Sequence, residues 1–239
     1  LPESLPSQER QGASGLDWLG TMRSSFSGLF SSLRAPAIGQ LLWVTMFYSF
    51  GFTIMHAVFI LFTEMSPADG GLGFTEAQNG RIFAVIGLTG IVVQGGLIRP
   101  LSKRFSSRSM LPIAVVITGI GLGAIPYASV EYAWLWLLPT CIVIASGSGI
   151  FQPTSSSLLA SYAQRNGREL GSVMGAMESA SAFARILGPF TGGLVWTLTV
   201  SETGWFSYHT VFQLCAVIML VTFFMALRLP SDSEATSSF

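Results

Sequence analysis

Residues 40–63 of this chain read QLLWVTMFYSFGFTIMHAVFILFT, an apolar run in which His56 is the only Asp, Glu, Lys, Arg or His. A helix needs about 20 apolar residues to cross a hydrocarbon core roughly 30 Å thick, so this run is long enough to cross a bilayer. Because no water in that core can hydrogen-bond the backbone, a single crossing segment must be α-helical. The run predicts a transmembrane helix.

Five further stretches of comparable length follow. One of them, residues 170–200, carries Glu178 and Arg185 among apolar and small residues, whereas the other four contain no Asp, Glu, Lys, Arg or His: 82–98, 109–130, 132–164 and 211–227. We therefore predict an all-α, polytopic membrane protein. Its six transmembrane helices are expected at 39–64, 80–101, 109–130, 132–163, 170–200 and 208–228.

The composition agrees with this class. The chain is 50% hydrophobic and 10% charged, whereas a soluble domain has about 25% charged residues. Its net charge of zero gives no overall basic signal, so no nucleic-acid partner is expected. Cys141 and Cys215 both fall inside predicted helices, where isolated cysteines act as small packing residues. No cofactor and no metal site is expected.

The basic residues separate by side of the membrane. One side holds the basic residues of the N-terminal tail, of the connections after helices two and four, and of the end of helix six: Arg10, Arg23, Arg34, Arg99, Lys103, Arg104, Arg108, Arg165, Arg168 and Arg228. The other side holds Arg81 alone, with five acidic residues. Positive charge in short loops marks the cytoplasmic face, so both termini are predicted to be cytoplasmic.

Three regions follow from this pattern. Residues 1–38 form a cytoplasmic linker, in which apolar residues between Leu16 and Leu33 recur every three or four positions. That spacing fits an amphipathic helix lying in the membrane interface, or a flexible linker, and both interpretations stay open. Residues 39–228 form the six-helix bundle, and residues 229–239 form a cytoplasmic tail. The chain begins with Leu1 and shows no cleavable signal peptide, so we expect part of a longer or processed product.

Three passages carry a family resemblance: GFTEAQNG at 73–80, QGGLIRPLSKRF at 94–105, and GSVMG at 171–175 followed by ARILGPFTGG at 184–193. Together they resemble the second half of a major facilitator superfamily transporter of the tetracycline-efflux-like branch. The resemblance implies one half bundle of six helices, whose partner is the N-terminal six-helix half of the same transporter. It also implies exchange of protons for a small-molecule substrate, within a bilayer that is expected to be a bacterial inner (plasma) membrane.

The loop after helix two decides which half this is. First halves of such transporters resemble Gly-x-Leu-Ala-Asp-Arg-x-Gly-Arg there, whereas this chain has Lys103 at the Asp position and lacks both glycines. That departure favours the second half. It also puts the loop's gating role in doubt, because Arg104 and Arg108 can equally act as charges that set the topology.

Glu178 and Arg185 are the first candidates for function, because a charge at the centre of a membrane helix costs about 2.5–3.5 kcal/mol on insertion scales. Their spacing of seven residues places both on one face of helix five, with backbones roughly 10 Å apart. The face either lines the translocation path or holds a fixed structural ion pair. Glu178 is the preferred candidate for proton exchange.

Other polar groups in the predicted helices are weaker candidates. His56 suits a proton relay because imidazole titrates near neutral pH, but a lone histidine is also a common packing residue. Gln94 in helix two and Gln152 in helix four, which precedes Pro153, either line a polar cavity or bond neighbouring helices. In helix five, Gly188, Pro189, Gly192 and Gly193 resemble an antiporter motif and predict a tight helix crossing.

The leading hypothesis is half of a secondary active transporter that exports a small organic compound against proton uptake by alternating access. The alternative is a non-transporting membrane scaffold, or a half-size relic within a larger complex. An intramembrane enzyme is not expected, because the sequence has no His-Glu-x-x-His motif and no paired aspartates within the predicted helices.

Overall fold

The computed structural model describes residues 36–200 and 206–230, and every regular element in these ranges is helical. Six long helices follow one another in the chain: α1 (Ile38–Glu64), α2 (Glu76–Arg104), α3 (Ser107–Ala124), α4 (Ala133–Arg165), α5 (Leu170–Thr199) and α6 (His209–Leu227). Short 3-10 turns at Pro67–Asp69 and Ile125–Tyr127 lie in the connections. The predictions for the amphipathic segment and for most of the C-terminal tail fall outside the described residues.

Within the described residues, five of these helices are long and apolar enough to cross a membrane, namely α1, α2, α3, α4 and α6. The sixth, α5, is 30 residues long but carries Glu178 and Arg185 and many small residues. The prediction of six crossings is therefore supported for five helices by length and composition. For α5 the crossing stays a prediction.

Two helix ends lie four or more residues from their predicted positions, each for an identifiable reason. Helix α2 begins four residues early, because Thr75 caps it: the Gln78 amide donates to Thr75 Oγ1 (3.4 Å) and the Thr75 amide donates to Gln78 Oε1 (2.7 Å). Helix α3 ends at Ala124 rather than near residue 130. Pro126 lies in the 3-10 turn that follows it, and proline has no amide to continue the α-helix.

The helices pack around α1, α3 and α4. Helix α1 packs along α5 and α6, α3 packs between α4 and α6, and α2 packs mainly against α4. The Tyr48 ring of α1 stacks on Phe151 of α4 at 3.6 Å, and its hydroxyl shares a hydrogen bond of 3.0 Å with Thr118 Oγ1 of α3. A Cβ at Gly147 of α4 would overlap Thr118, so this glycine allows α3 and α4 to approach closely.

Helix α2 lies at the edge of the bundle and is largely exposed. Of its residues only Asn79, Ile82 and Val93 are buried. A Cβ added at Gly80 or Gly87 would meet no atom of the described residues within 4 Å. The regular α-helix is interrupted by a π-helical turn at Val93–Leu97, and turns of this kind often occur at functional positions.

Candidate functional site

The two charged side chains of α5 form an ion pair. Arg185 Nη2 donates to Glu178 Oε2 at 3.5 Å. The two side chains therefore meet although they are seven residues apart, a contact that the sequence did not decide. The pair is not buried within this chain: the Arg185 side chain is 53% exposed and that of Glu178 is 67% exposed. Both charges therefore point outward from the bundle.

The depth of Arg185 follows from its neighbour. The Thr53 hydroxyl of α1 donates to the carbonyl of Ser49 in its own helix at 2.7 Å, and it lies 3.4 Å from the carbonyl oxygen of Ala184 across the helix crossing. Thr53 lies two residues past Gly51, the central residue of the 27-residue helix α1. Arg185 is thus close to the middle of the membrane that α1 crosses. A charge at this depth must meet protein or water, since contact with acyl chains would carry the insertion cost given above.

The exposed surface of α5 has two chemically different faces. Phe183 and Phe190 lie roughly 140–160° around the helix from Arg185, at 100° per residue. Phe183 is one wall of an apolar cleft of about 180 Å³ that is shared with Met46 and Phe50 of α1. The aromatic face suits lipid, and the charged face is turned away from it.

His56 is exposed and lies at a small crevice between α1, α2 and α4, with Phe83 and Cys141 among the lining residues. Its Nδ1 is 3.0 Å from the carbonyl oxygen of Phe52, one turn earlier in α1. A carbonyl can only accept, so Nδ1 must carry the proton in this bond. The other ring nitrogen, Nε2, is then the acceptor available for a proton.

Gln94 and Gln152 are both exposed and lie near the contact between α2 and α4. A Cβ built on Gly149 would be 3.8 Å from Gln94 Cγ, and Gly149 precedes Gln152 by one helical turn. Gln94 belongs to the π-helical turn of α2. Pro153 follows Gln152, and proline cannot donate the hydrogen bond of a regular helix. Backbone irregularities thus accompany both amides.

The five polar candidates are spread over four helices. The structure pairs Glu178 with Arg185 and brings Gln94 near the turn that precedes Gln152, whereas His56 lies in its own crevice. Helices α3 and α6 contribute none of them. From residue 110 to 124 in α3 and from 214 to 227 in α6, every exposed side chain is apolar. Outside these two ranges, Ser109 in the first turn of α3 and Gln213 near the start of α6 are exposed polar residues.

The basic residues after α2 occupy two positions. Lys103 and Arg104 are exposed in the last turn of α2, where positive charge is favourable at a helix C-terminus. Arg108 lies in the first turn of α3 and lines a cleft between α3 and α6. Among the described residues, none of the three forms an ion pair.

The glycines of α5 differ in their surroundings. A Cβ at Gly188 would overlap the Thr53 hydroxyl, and one at Gly192 would lie 3.1 Å from the backbone oxygen of Ile54. Both glycines are therefore at the crossing with α1. A Cβ at Gly193 would meet nothing within 4 Å, and Pro189 is exposed.

Sequence reasoning missed two polar contacts between helices. Asn79 Nδ2 donates to Glu64 Oε1 at 3.1 Å, which ties the start of α2 to the end of α1, and Asn79 Oδ1 is buried without a partner in the described part of the chain. Thr53, one turn before His56, bonds to α5. Their spacing within each helix gives no hint of the partner, because the partner lies on another helix.

A family model described as Major Facilitator Superfamily matches residues 1–189 of the chain. The chain belongs to the major facilitator superfamily. Membership and the five helices of the described residues that are long and apolar enough to cross a membrane indicate an integral membrane protein in contact with the lipid bilayer.

Two mammalian relatives are similar to the chain. "Major facilitator superfamily domain-containing protein 10" of Mus musculus is 25% identical over 255 aligned residues, which cover 99% of the chain and 51% of the relative. The protein of the same name from Bos taurus is 26% identical over 196 residues, covering 80% of the chain and 37% of the relative. The chain thus spans about half the length of these relatives or less. The bacterial membrane expected from the resemblance gains no support from them.

Proposed function

We propose that this chain is the C-terminal six-helix half of a secondary active transporter of the tetracycline-efflux-like branch, which exports a small organic compound in exchange for protons. The observation that carries the proposal is the outward-facing pair of Glu178 and Arg185 near the middle of the membrane. Such a pair needs a protein or aqueous surface beside it. A second half bundle, with a water-filled cavity between the halves, supplies that surface.

The ion pair suggests how a proton is coupled to transport. A proton that binds Glu178 removes its negative charge and releases Arg185, because the carboxyl group no longer attracts the guanidinium. Arg185 is then free to bind another partner, either an anionic group of the substrate or a group on the opposite half. Proton binding at one helix face thereby changes the interactions between the two halves, which is the requirement for alternating access.

Three further groups complete the proposed path. His56 offers Nε2 as a proton acceptor at the crevice between α1, α2 and α4, and Gln94 and Gln152 offer hydrogen bonds to a substrate. Gly188 and Gly192 hold α5 close to α1, so that the charged face keeps its position. Lys103, Arg104 and Arg108 mark the cytoplasmic side, on which we place both termini.

The test is Glu178→Gln in the full-length protein, assayed in everted membrane vesicles with a pH-sensitive dye and a panel of small organic compounds that includes tetracycline. We expect proton movement driven by any transported compound to be lost, while the amount of inserted protein is unchanged. The matched control is Glu131→Gln, which changes an exposed carboxylate in the connection between α3 and α4. Normal proton-coupled transport by Glu178→Gln would refute the assignment.

A further inference from the structure

The outer surface of α3 and α6 contains a continuous apolar groove. A cleft of about 520 Å³ begins at Arg108 and Leu227, and a second of about 320 Å³ extends it to Ile120 and Val217. The two clefts share Val116 and Phe223 as walls, so they form one groove. We call this surface the α3–α6 groove.

The groove is polar at one end only. Arg108 and Ser109 are its only polar lining side chains among the described residues, and both belong to the first turn of α3. Arg108 forms no ion pair with any carboxylate of the described residues. Within the described residues, the groove therefore combines an apolar wall with one positive charge at its mouth that no carboxylate pairs.

The length of the groove matches one leaflet of a bilayer. From Arg108 to Ile120 is twelve residues, or roughly 18 Å at about 1.5 Å per residue. Half of a hydrocarbon core roughly 30 Å thick is about 15 Å. An acyl chain that starts at the level of Arg108 therefore ends near Ile120, the last residue of α3 that lines the two clefts. The charge lies at the depth of the headgroups of that leaflet.

We propose that the α3–α6 groove binds an anionic phospholipid of the leaflet at its basic end, with one acyl chain between α3 and α6 and the phosphate at Arg108. Charge complementarity and the match of length identify this occupant. Basic residues on the cytoplasmic side of membrane helices attract anionic headgroups in the same way. Two exposed apolar residues that line the groove, Ile113 and Leu220, suit contact with an acyl chain.

The test measures lipid that remains bound to the full-length protein. The protein is placed in nanodiscs of phosphatidylglycerol and phosphatidylcholine with identical acyl chains, re-extracted in mild detergent and analysed by native mass spectrometry. We expect phosphatidylglycerol to be retained roughly fivefold over phosphatidylcholine, the factor that one cation near an anionic surface contributes. Arg108→Gln should abolish this preference and Arg108→Lys should keep it. Arg99→Gln, an equal charge change on the same side but outside the groove, should also keep it.

A second variant tests the acyl-chain contact independently of the charge. Val217 is 55% exposed, so Val217→Trp can fill the groove without disturbing the core, and it should lower retention of both lipids. Phe224→Trp, on the same helix but outside the groove, should not. The proposal is overturned if the unaltered protein retains both lipids equally, or if Arg108→Gln keeps the preference. It is equally overturned if excess inorganic phosphate displaces the lipid. Unchanged retention in Val217→Trp would also overturn it, because that result is expected if a protein, and not a lipid, covers the groove.

Discussion

The role of a single polar residue in this chain depends on its depth in the membrane and on whether its side chain is buried or exposed. Tyr48 and Thr118 are both buried and satisfy one another between α1 and α3. Glu178 and Arg185 are paired as well, yet they face outward. In a membrane an exposed charge pair is unstable against lipid, whereas a buried hydrogen bond adds to stability. The exposed pair of Glu178 and Arg185 is therefore the candidate for function, and the buried pair of Tyr48 and Thr118 contributes to folding.

At this scale, Tyr48→Phe should destabilise the folded protein modestly. The variant removes the hydroxyl that bonds to Thr118 but keeps the ring that stacks on Phe151. We expect a loss of about 0.6–1 kcal/mol in the free energy of unfolding, the usual range for one such bond. The unfolding midpoint in mixed micelles measures it. Tyr132→Phe is the control, because Tyr132 is 57% exposed, and an equal loss there would contradict the expectation.

Individual helices show how small residues set the distance between elements. Helix α5 places Gly188 and Gly192 against α1, whereas Gly193 on the same helix faces open space. Without a hydrophobic driving force between helices in lipid, their association depends on close packing and interhelical hydrogen bonds. Because Gly188 has no Cβ, the Thr53 hydroxyl can lie 3.4 Å from the Ala184 carbonyl. Glycine at this position therefore keeps the part of α5 that carries Arg185 close to α1.

At this scale, Gly188→Ala should separate α5 from α1. The added methyl group overlaps the Thr53 hydroxyl, and overpacking of this kind costs about 1–3 kcal/mol. We expect a lower unfolding midpoint and reduced transport together, since the charged face shifts with the helix. Gly193→Ala adds the same methyl group one turn further into open space and is the matched control. Equal effects of the two variants would rule out a special role for the crossing.

The whole molecule separates its surfaces by chemistry. The exposed residues of α3 from 110 to 124 and of α6 from 214 to 227 are apolar, whereas the five polar candidates lie on α1, α2, α4 and α5. The chain spans about half of its mouse relative, and in the proposed function a second bundle covers the polar surfaces. The α3–α6 groove lies elsewhere, on a surface suited to lipid. In that proposal, one face of the bundle meets the partner half and another face meets the bilayer.

At this scale, the orientation is testable with single cysteines at the two ends of α4. Ser129→Cys lies in the connection before α4 and Gln164→Cys in its last turn, and both positions are exposed. A membrane-impermeant thiol reagent added to intact cells should label Ser129→Cys, and should label Gln164→Cys only after permeabilisation. The native Cys141 and Cys215 are buried and serve as the unreactive background. Labelling in the opposite order would reverse the topology.

Much of the bundle is predictable because lipid imposes a simple rule. A long apolar run without charges must be a helix, and five such runs appear as long apolar helices whose ends lie within six residues of those expected. The larger errors in the predicted helix ends occur where a capping residue or a proline determines the end of the helix. The capping box at Thr75 lengthens α2, and Pro126 shortens α3. Residues 170–200 were recognisable as a helix, but their charged residues make the segment less apolar, and apolar composition is what identifies a membrane crossing.

By itself the sequence determined the class of protein, the number of long helices and the polar residues worth testing, because apolar length and charge placement are local properties of the chain. Only the tertiary structure decided which of those residues meet. It showed that Arg185 reaches Glu178, that Gly188 but not Gly193 contacts α1, and that α3 and α6 enclose a groove ending at Arg108. The physical reason is that these contacts join different helices or depend on side-chain conformation, and helical periodicity gives a residue's face without naming its neighbour.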